Sequence, residues 1–229
     1  MLGDGQVPQR IEVQVAVHPR STAAGYVPLN PTLHTLQEAA RGCKGCDLWK
    51  RGTQTVFGEG ARHARVMFVG EQPGDKEDLL GKPFVGPAGK LLDKCLEAAG
   101  IDRGQVYVTN AVKHFKWEPR GKRRIHKKPS TLEIAACCPW LDAEIAVIRP
   151  QAIVCLGATA AQALLGRDFK VSEQRGQLVR SQLAPVVMAT VHPSSVLRAP
   201  DDETRHREIE RFTDDLRVLA DTLRERRAA

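Results

Sequence analysis

Two cysteines, Cys43 and Cys46, form a C-x-x-C pair directly after a stretch with helical periodicity. Two thiolates at this spacing can bind one metal centre, although a redox dithiol or two unrelated thiols are alternatives. A metal centre needs further ligands, and Cys137 together with His114 or Cys138 lies at a plausible distance along the chain. The other cysteines are expected to be small core residues, and they are Cys95 and Cys155.

Glycine-rich segments surround a carboxylate, an amide and an aromatic ring. Glu71 and Gln72 lie in the sequence GEQPG (70–74), directly after an apolar run, and the glycines let the backbone approach a ligand closely. The alternative is an ordinary glycine-rich turn. Further on, GKPFVGPAG (81–89) is expected to expose Phe84 on a constrained loop before a helix, where an aromatic ring can stack on a base.

Two more polar residues end apolar runs. Asn110 can offer donors and an acceptor to the edge of a pyrimidine, and a turn or cap asparagine is the alternative. His192 begins the sequence HPSS (192–195), where it can donate to negative charge that develops on a leaving group. A structural histidine with satisfied hydrogen bonds is the competing interpretation.

The sequence GKRRIHKK (121–128) is a dense basic segment that we expect to form a loop. Such a segment suits the phosphates of a nucleic acid, although a solvated charge run has the same composition. His126 interrupts this segment directly after Ile125. A histidine among phosphate-binding residues can contact a reacting sugar.

Hydrophobic periodicity predicts the elements that position these residues. Strands are predicted at residues 64–70, 105–110, 152–157 and 185–191, and helices at 32–41, 86–99, 131–148, 158–165 and 202–224. This alternation predicts an α/β fold with a parallel sheet and helices on both faces. Ligands of such sheets bind at the carboxyl ends of the strands, where Glu71, Asn110 and His192 are expected.

The composition narrows the classes of protein and partner. With 229 residues, of which 42% are hydrophobic, the chain can form one sizeable core, so we expect a domain at 31–229 after a poorly ordered N-terminal extension at 1–30. A net charge of +7 favours a polyanionic partner, either nucleic acid or an anionic membrane surface. Neither a membrane-spanning run nor a signal pattern is visible, so a cytoplasmic location is the default expectation.

Five motifs occur in an order that is far more specific than any one of them. They are GEQPG (70–74), GKPFVGPAG (81–89), TNAVKH (109–114), LGATAA (156–161) and HPSS (192–195). Together, over about residues 32–222, they resemble the iron-sulfur uracil-DNA glycosylases of family 4. Gln72 and the inserted segment KRRIH (122–126) resemble the UdgX branch of that superfamily more closely.

The resemblance implies a three-layer α/β/α sandwich with a central four-stranded parallel sheet. It also implies a structural 4Fe-4S cluster held by Cys43, Cys46, Cys137 and His114, with Cys138 as the alternative fourth ligand. His114 stands where ordinary family 4 sequences carry cysteine. The chain would act as a monomer on uracil-containing DNA in bacteria, and through DNA it would associate with the nucleoid.

The resemblance also assigns roles to the residues at the strand ends. Asn110 would read uracil, Phe84 would stack on the flipped base, and His192 would stabilise the departing uracil anion. Gly70 and Gln72 complete the expected uracil site, and positioning of the loop is the alternative role of Gln72. The expected DNA contacts are Lys122, Arg123, Arg124 and Ser194.

UdgX-like proteins capture the sugar cation on the histidine of the KRRIH segment, and His126 occupies that position. The resemblance therefore implies a covalent link from His126 to C1′ of the deoxyribose after a single turnover, with free uracil released. Glu71 is the candidate that orients or deprotonates His126. A conventional glycosylase with multiple turnovers and a non-catalytic iron-sulfur DNA-binding module are the alternatives. Single-stranded DNA should be preferred because no base pair has to be opened.

Overall fold

The computed structural model describes residues 22–228, which form a three-layer α/β/α sandwich. The 3-10 turn Ala23–Tyr26 comes first. In chain order, the helices and strands are α1 (Leu33–Ala40), β1 (Glu59–Gly60), β2 (Val66–Gly70), α2 (Asp75–Leu80), α3 (Pro87–Ala98), β3 (Val106–Asn110), β4 (Trp117–Arg120), β5 (Arg123–His126), α4 (Thr131–Ile148), β6 (Ala152–Leu156), α5 (Ala158–Leu165), α6 (Val171–Gln174), β7 (Leu178–Val179), β8 (Val186–Thr190), α7 (Pro193–Leu197) and α8 (Asp202–Ala228).

The central sheet has the strand order β1-β3-β2-β6-β8-β7. The four inner strands are parallel, as predicted, whereas β1 and β7 pair antiparallel at the two edges. The sheet therefore has six strands rather than the four that were expected. Both additions are two residues long, too short to give a periodic signal in the sequence.

Every residue of the four parallel strands is buried, because helices cover both faces of the sheet. In β2, Val66 and Phe68 join a core cluster with residues of α3 and α8. The alternate residues Met67 and Val69 join a second cluster with residues of α4 and α5. This alternation holds the carboxyl end of β2 firmly between two packed layers.

The basic segment is a β-hairpin and not the loop that was expected. Strands β4 and β5 pair antiparallel, with Trp117 opposite His126 and Arg120 opposite Arg123. Gly121 turns the chain with a φ of 59°, which lies in the left-handed region that glycine tolerates. His126 is therefore the last residue of a strand.

The structure describes only the last part of the expected N-terminal extension, from Thr22 to Asn30, and residues 1–21 lie outside it. Within that part, Ala23 is 1% exposed and belongs to a third core cluster with residues of α1 and α4. Ala23 and Val27 therefore pack onto the domain, whereas Leu29 is exposed. No helix among the described residues is long and apolar enough to cross a membrane.

Candidate active site

Asn110 ends β3 at the carboxyl edge of the sheet, where it pairs in register with Gly70 at the end of β2. Asn110 is 2% exposed, and its Nδ2 has no hydrogen-bond partner among the described residues. A methyl group on Gly70 would lie 2.3 Å from Asn110 Oδ1 and 3.0 Å from Phe84 Cζ, so glycine is required there. An unsatisfied buried amide is costly, and a ligand acceptor would satisfy it.

Phe84 lies beside Asn110, but it is 8% exposed and not on the surface as expected. Its backbone has a φ of 57°, an unfavourable conformation for a bulky residue. A methyl group on Gly89 would approach Phe84 O to 1.6 Å, so the glycine permits this tight loop. The ring of Phe84 stacks on that of His192, with centroids 6.0 Å apart. Burial of the loop fixes the Phe84 ring beside Gly70 and His192.

His192 caps α7, and its hydrogen bonds define its tautomer. The backbone N–H of Ser194 donates to His192 Nδ1 at 3.1 Å, and Ser194 Oγ lies 2.8 Å from the same nitrogen. The neutral ring therefore carries its proton on Nε2. Burial, together with smaller contributions from the charges of Arg198 and His126, lowers the pKa of His192 to about 4. The ring is a neutral hydrogen-bond donor at neutral pH.

His126, at the end of β5, faces the carboxylate of Glu71, with 3.4 Å between His126 Nε2 and Glu71 Oε1. The His126 side chain is 49% exposed, so a ligand can reach it. Burial of the remainder lowers its pKa and Arg198 lowers it as well, whereas the Glu71 carboxylate raises it. The net lowering favours a neutral imidazole, which has a lone pair for attack.

The amide of Gln72, expected in the uracil site, is bound to the base of the β4–β5 hairpin. Its Nε2 donates to Lys116 O at 3.1 Å and to Lys127 O at 3.0 Å, while its Oε1 accepts from Lys116 N at 3.1 Å. Both donor positions of the amide are therefore occupied. The structure favours Gln72 as support for the hairpin that carries His126.

Arg124 also secures this hairpin. Its guanidinium pairs with Asp75 and Asp78 of α2, each at 2.6 Å, and its side chain is 20% exposed. Because two carboxylates neutralise it, Arg124 offers little free charge to a phosphate. Lys122 and Arg123, in contrast, are exposed at the tip of the hairpin.

Two residues near the reacting groups were missed by the sequence analysis. The charge of Arg198, at the end of α7, acts on both His126 and His192. The hydroxyl of Thr159 donates to Glu71 Oε2. Arg198 follows the HPSS motif and Thr159 lies within LGATAA, so the motifs could have indicated both residues.

Three of the predicted metal ligands, Cys43, Cys46 and Cys137, share a core cluster where α1 approaches α4. Burial raises the pKa of Cys137 to about 12, and the charges of Cys46 and Cys43 contribute in the same direction. N–H groups donate to the sulfurs, from Lys113 N to Cys137 at 3.3 Å and from Trp140 Nε1 to Cys43 at 3.3 Å. Such hydrogen bonds are typical of iron-sulfur thiolates.

His114 has the correct hydrogen bonding for a ligand. The Thr55 hydroxyl donates to Ala40 O and therefore accepts from His114 Nε2 at 3.1 Å, which leaves Nδ1 with a free lone pair. Burial lowers the pKa of His114 to about 4, so the ring is neutral. Among the described residues no group of three or more side chains is arranged around a single metal ion. Thiolate and imidazole groups are donors that iron-sulfur clusters take, so the donor chemistry of these four residues would fit such a group.

The fold is that of an α/β/α protein, and the candidate site lies at the carboxyl ends of its parallel strands. The family profile of the uracil DNA glycosylase superfamily matches residues 57–217. The chain is 38% identical over 175 residues to a type-4 uracil-DNA glycosylase of Pyrobaculum aerophilum, covering 73% of this chain and 86% of that protein. A type-4 enzyme of Thermotoga maritima is 38% identical over 174 residues, covering 76% and 87%. The chain belongs to the uracil DNA glycosylase superfamily.

A type-5 uracil-DNA glycosylase of Pyrobaculum aerophilum is also similar, with 30% identity over 181 residues, which cover 72% of this chain and 76% of that protein. The type-4 proteins therefore match this chain with higher identity than the type-5 protein does.

Proposed function

We propose that this protein excises uracil from DNA, as UdgX-like glycosylases do, and becomes covalently bound to the product through His126. The observation that carries the proposal is the contact between His126 and Glu71, together with the grouping of Asn110, Phe84 and His192 at the strand ends. Binding to the DNA backbone alone would need none of these groups.

Base recognition depends on the unsatisfied amide of Asn110 and on the ring of Phe84. The Nδ2 donor and Oδ1 acceptor of Asn110 match the O4 and N3–H edge of a flipped uracil. Phe84 stacks against the face of the base. The substrate is uracil-containing DNA, preferably single-stranded, because flipping then breaks no base pair. Lys122, Arg123 and Ser194 supply the expected contacts to DNA.

Bond cleavage moves the electron pair of the C1′–N1 bond onto uracil. The N–H at His192 Nε2 forms a hydrogen bond to the uracil anion. The ring stays neutral in this role, because the hydrogen bond that Nδ1 accepts from Ser194 N keeps the proton on Nε2. Free uracil departs, and an oxocarbenium-like cation is left at C1′ of the deoxyribose.

Capture then forms the bond from a neutral ring nitrogen of His126 to C1′, with the electron pair supplied by that nitrogen. The alkylated ring is positively charged, and Glu71 accepts its remaining N–H proton or neutralises its charge. The enzyme ends the reaction as a monomeric adduct with its own product, so turnover stops after one event.

The cluster is proposed to be held by Cys43, Cys46, Cys137 and His114, with Cys138 as the alternative. Cys138 is partly buried, and its raised pKa of about 11 results from burial and Asp142 with no contribution from the other proposed cysteine ligands. When bound, the cluster supplies a structural link between α1, α4 and the segment after β3. It takes no part in the steps above.

The test is denaturing gel electrophoresis after incubation with labelled single-stranded DNA that contains one uracil. We expect a band of protein-linked DNA that survives boiling, is absent with thymine and is lost in His126→Ser, which still releases uracil. Abasic DNA without this band would instead identify a conventional glycosylase with multiple turnovers. Untouched DNA would indicate a binding module.

A further inference from the structure

The LGATAA motif places Thr159 in the first turn of α5, directly behind Glu71. Thr159 is 5% exposed, and its hydroxyl donates to Glu71 Oε2. The other oxygen, Glu71 Oε1, is the one that faces His126 Nε2. The two oxygens of this carboxylate therefore have separate partners on opposite sides.

A glutamate side chain rotates about three bonds, and a glycine-rich loop alone does little to restrict it. Thr159 is itself stiff, because a β-branched residue has few χ1 rotamers in a helix. The core around α5 fixes that helix through Ala160 and Ala161, both of which are fully buried. The hydroxyl of Thr159 is thus a rigid anchor for one end of the carboxylate.

We propose that Thr159 is a positioning residue that holds the Glu71 carboxylate towards His126 and thereby assists capture of the sugar cation. This inference rests on the proposed function of His126. Thr159 acts through Glu71 and touches neither uracil nor the deoxyribose. Its effect is therefore on capture by His126, and uracil release proceeds without it.

The charges around His126 explain why this orientation matters. Arg198 acts on His126 from α7, and His192 lies near the same group. The charge of Arg198 opposes a positive charge on the alkylated imidazole ring, and Glu71 is the carboxylate that faces it. A carboxylate that turned away would leave this cation beside Arg198 without compensation.

The first test compares Thr159→Val, which keeps the shape and removes the donor, with Thr159→Ser, which keeps the donor. A hydrogen bond to a charged group has a large effect, so we expect Thr159→Val to slow adduct formation about tenfold. Uracil release should stay within about twofold of the unaltered protein, and free abasic DNA should accumulate. Thr159→Ser should form the adduct at nearly the rate of the unaltered protein. An unchanged rate of adduct formation in Thr159→Val would overturn the inference.

The second test measures the pKa of the His126 ring by NMR in the protein without DNA. Because the nearby Glu71 carboxylate raises this pKa, Thr159→Val should lower it in the same direction as Glu71→Gln, and by less. Thr159→Ser should match the unaltered protein. If the unaltered protein forms no adduct, the proposed function fails, whereas this titration still decides whether Thr159 holds Glu71 on His126. Equal pKa values in the unaltered protein and Thr159→Val would refute the positioning role.

Discussion

Lys113 and Glu144 form a buried ion pair. We expect the free energy of unfolding to respond most strongly when one charge of this pair is removed. The Lys113 side chain is 1% exposed and that of Glu144 is 0% exposed, with 2.5 Å between Nζ and Oε2. Lys113 Nζ also donates to Thr109 Oγ1 at 2.6 Å and to Asn110 O at 2.7 Å. Tyr107 donates to Glu144 Oε1 at 2.8 Å. The network therefore joins α4 to the strand that ends at Asn110.

The perturbation is Glu144→Gln, which keeps the shape and removes the negative charge. An ammonium group without its partner would then remain buried, which costs about 3–5 kcal/mol. For a domain of this size, that loss corresponds to a decrease of about 6–20 °C in the melting temperature. Circular dichroism during heating, under anaerobic conditions that preserve a cluster, measures the shift directly.

The matched control is Glu173→Gln, which breaks the exposed pair of Lys170 and Glu173. Exposed pairs contribute about 0–1 kcal/mol, so its melting temperature should fall by no more than about 4 °C. The double variant Lys113→Met with Glu144→Gln removes both charges and should recover most of the loss. Equal shifts in Glu144→Gln and Glu173→Gln would refute the reasoning that an unpaired buried charge dominates.

Three further predictions concern the cluster, the pH dependence and the hairpin. In elemental analysis, Cys137→Ala should have lost most of the bound iron and sulfide, whereas Cys138→Ala should retain both. The opposite result would make Cys138 the cluster ligand in place of Cys137. Because the pKa of His192 is about 4 in the folded protein and 6.5 ordinarily, the unfolded chain binds its proton first as the pH falls. The free energy of unfolding should therefore decrease between about pH 6.5 and pH 4, and urea titrations should show a flatter profile for His192→Asn. Gln72→Leu removes three hydrogen bonds of about 1 kcal/mol each, so amide hydrogen exchange in the hairpin should rise at least tenfold, and unchanged protection would count against a supporting role.

The sequence predicted those features that depend on periodicity. Residues 131–148 and 158–165 are helices with the predicted bounds, and the four parallel strands lie within one or two residues of their predicted ends. A parallel strand that is buried on both faces appears in the sequence as a continuous apolar run. Glycine and polar residues at both ends of such a run are sufficient to locate the strand. The sequence alone therefore places the polar residues that end these strands at one edge of the sheet.

Contacts between distant segments could not be predicted in this way. The hairpin was missed because its basic residues lack a hydrophobic alternation, and its pairing with α2 through Arg124 joins residues about 50 positions apart along the chain. Nothing in the local sequence distinguishes an amide that binds uracil from one that binds the backbone of a hairpin, so both roles stayed open for Gln72. The burial of Phe84 depends on how its loop packs, which the sequence does not reveal either.

The two histidines of the site differ in one respect that separates their proposed roles. Burial lowers the pKa of each, and Arg198 opposes positive charge on both rings. Only His126 has a carboxylate beside it, whereas His192 has its Nδ1 bound to Ser194. A ring that donates Nε2–H to an anion can remain neutral throughout, but a ring that forms a bond to carbon must become positive. The environments of the two histidines therefore fit a donor at His192 and a nucleophile at His126, and they would fit the exchanged roles poorly.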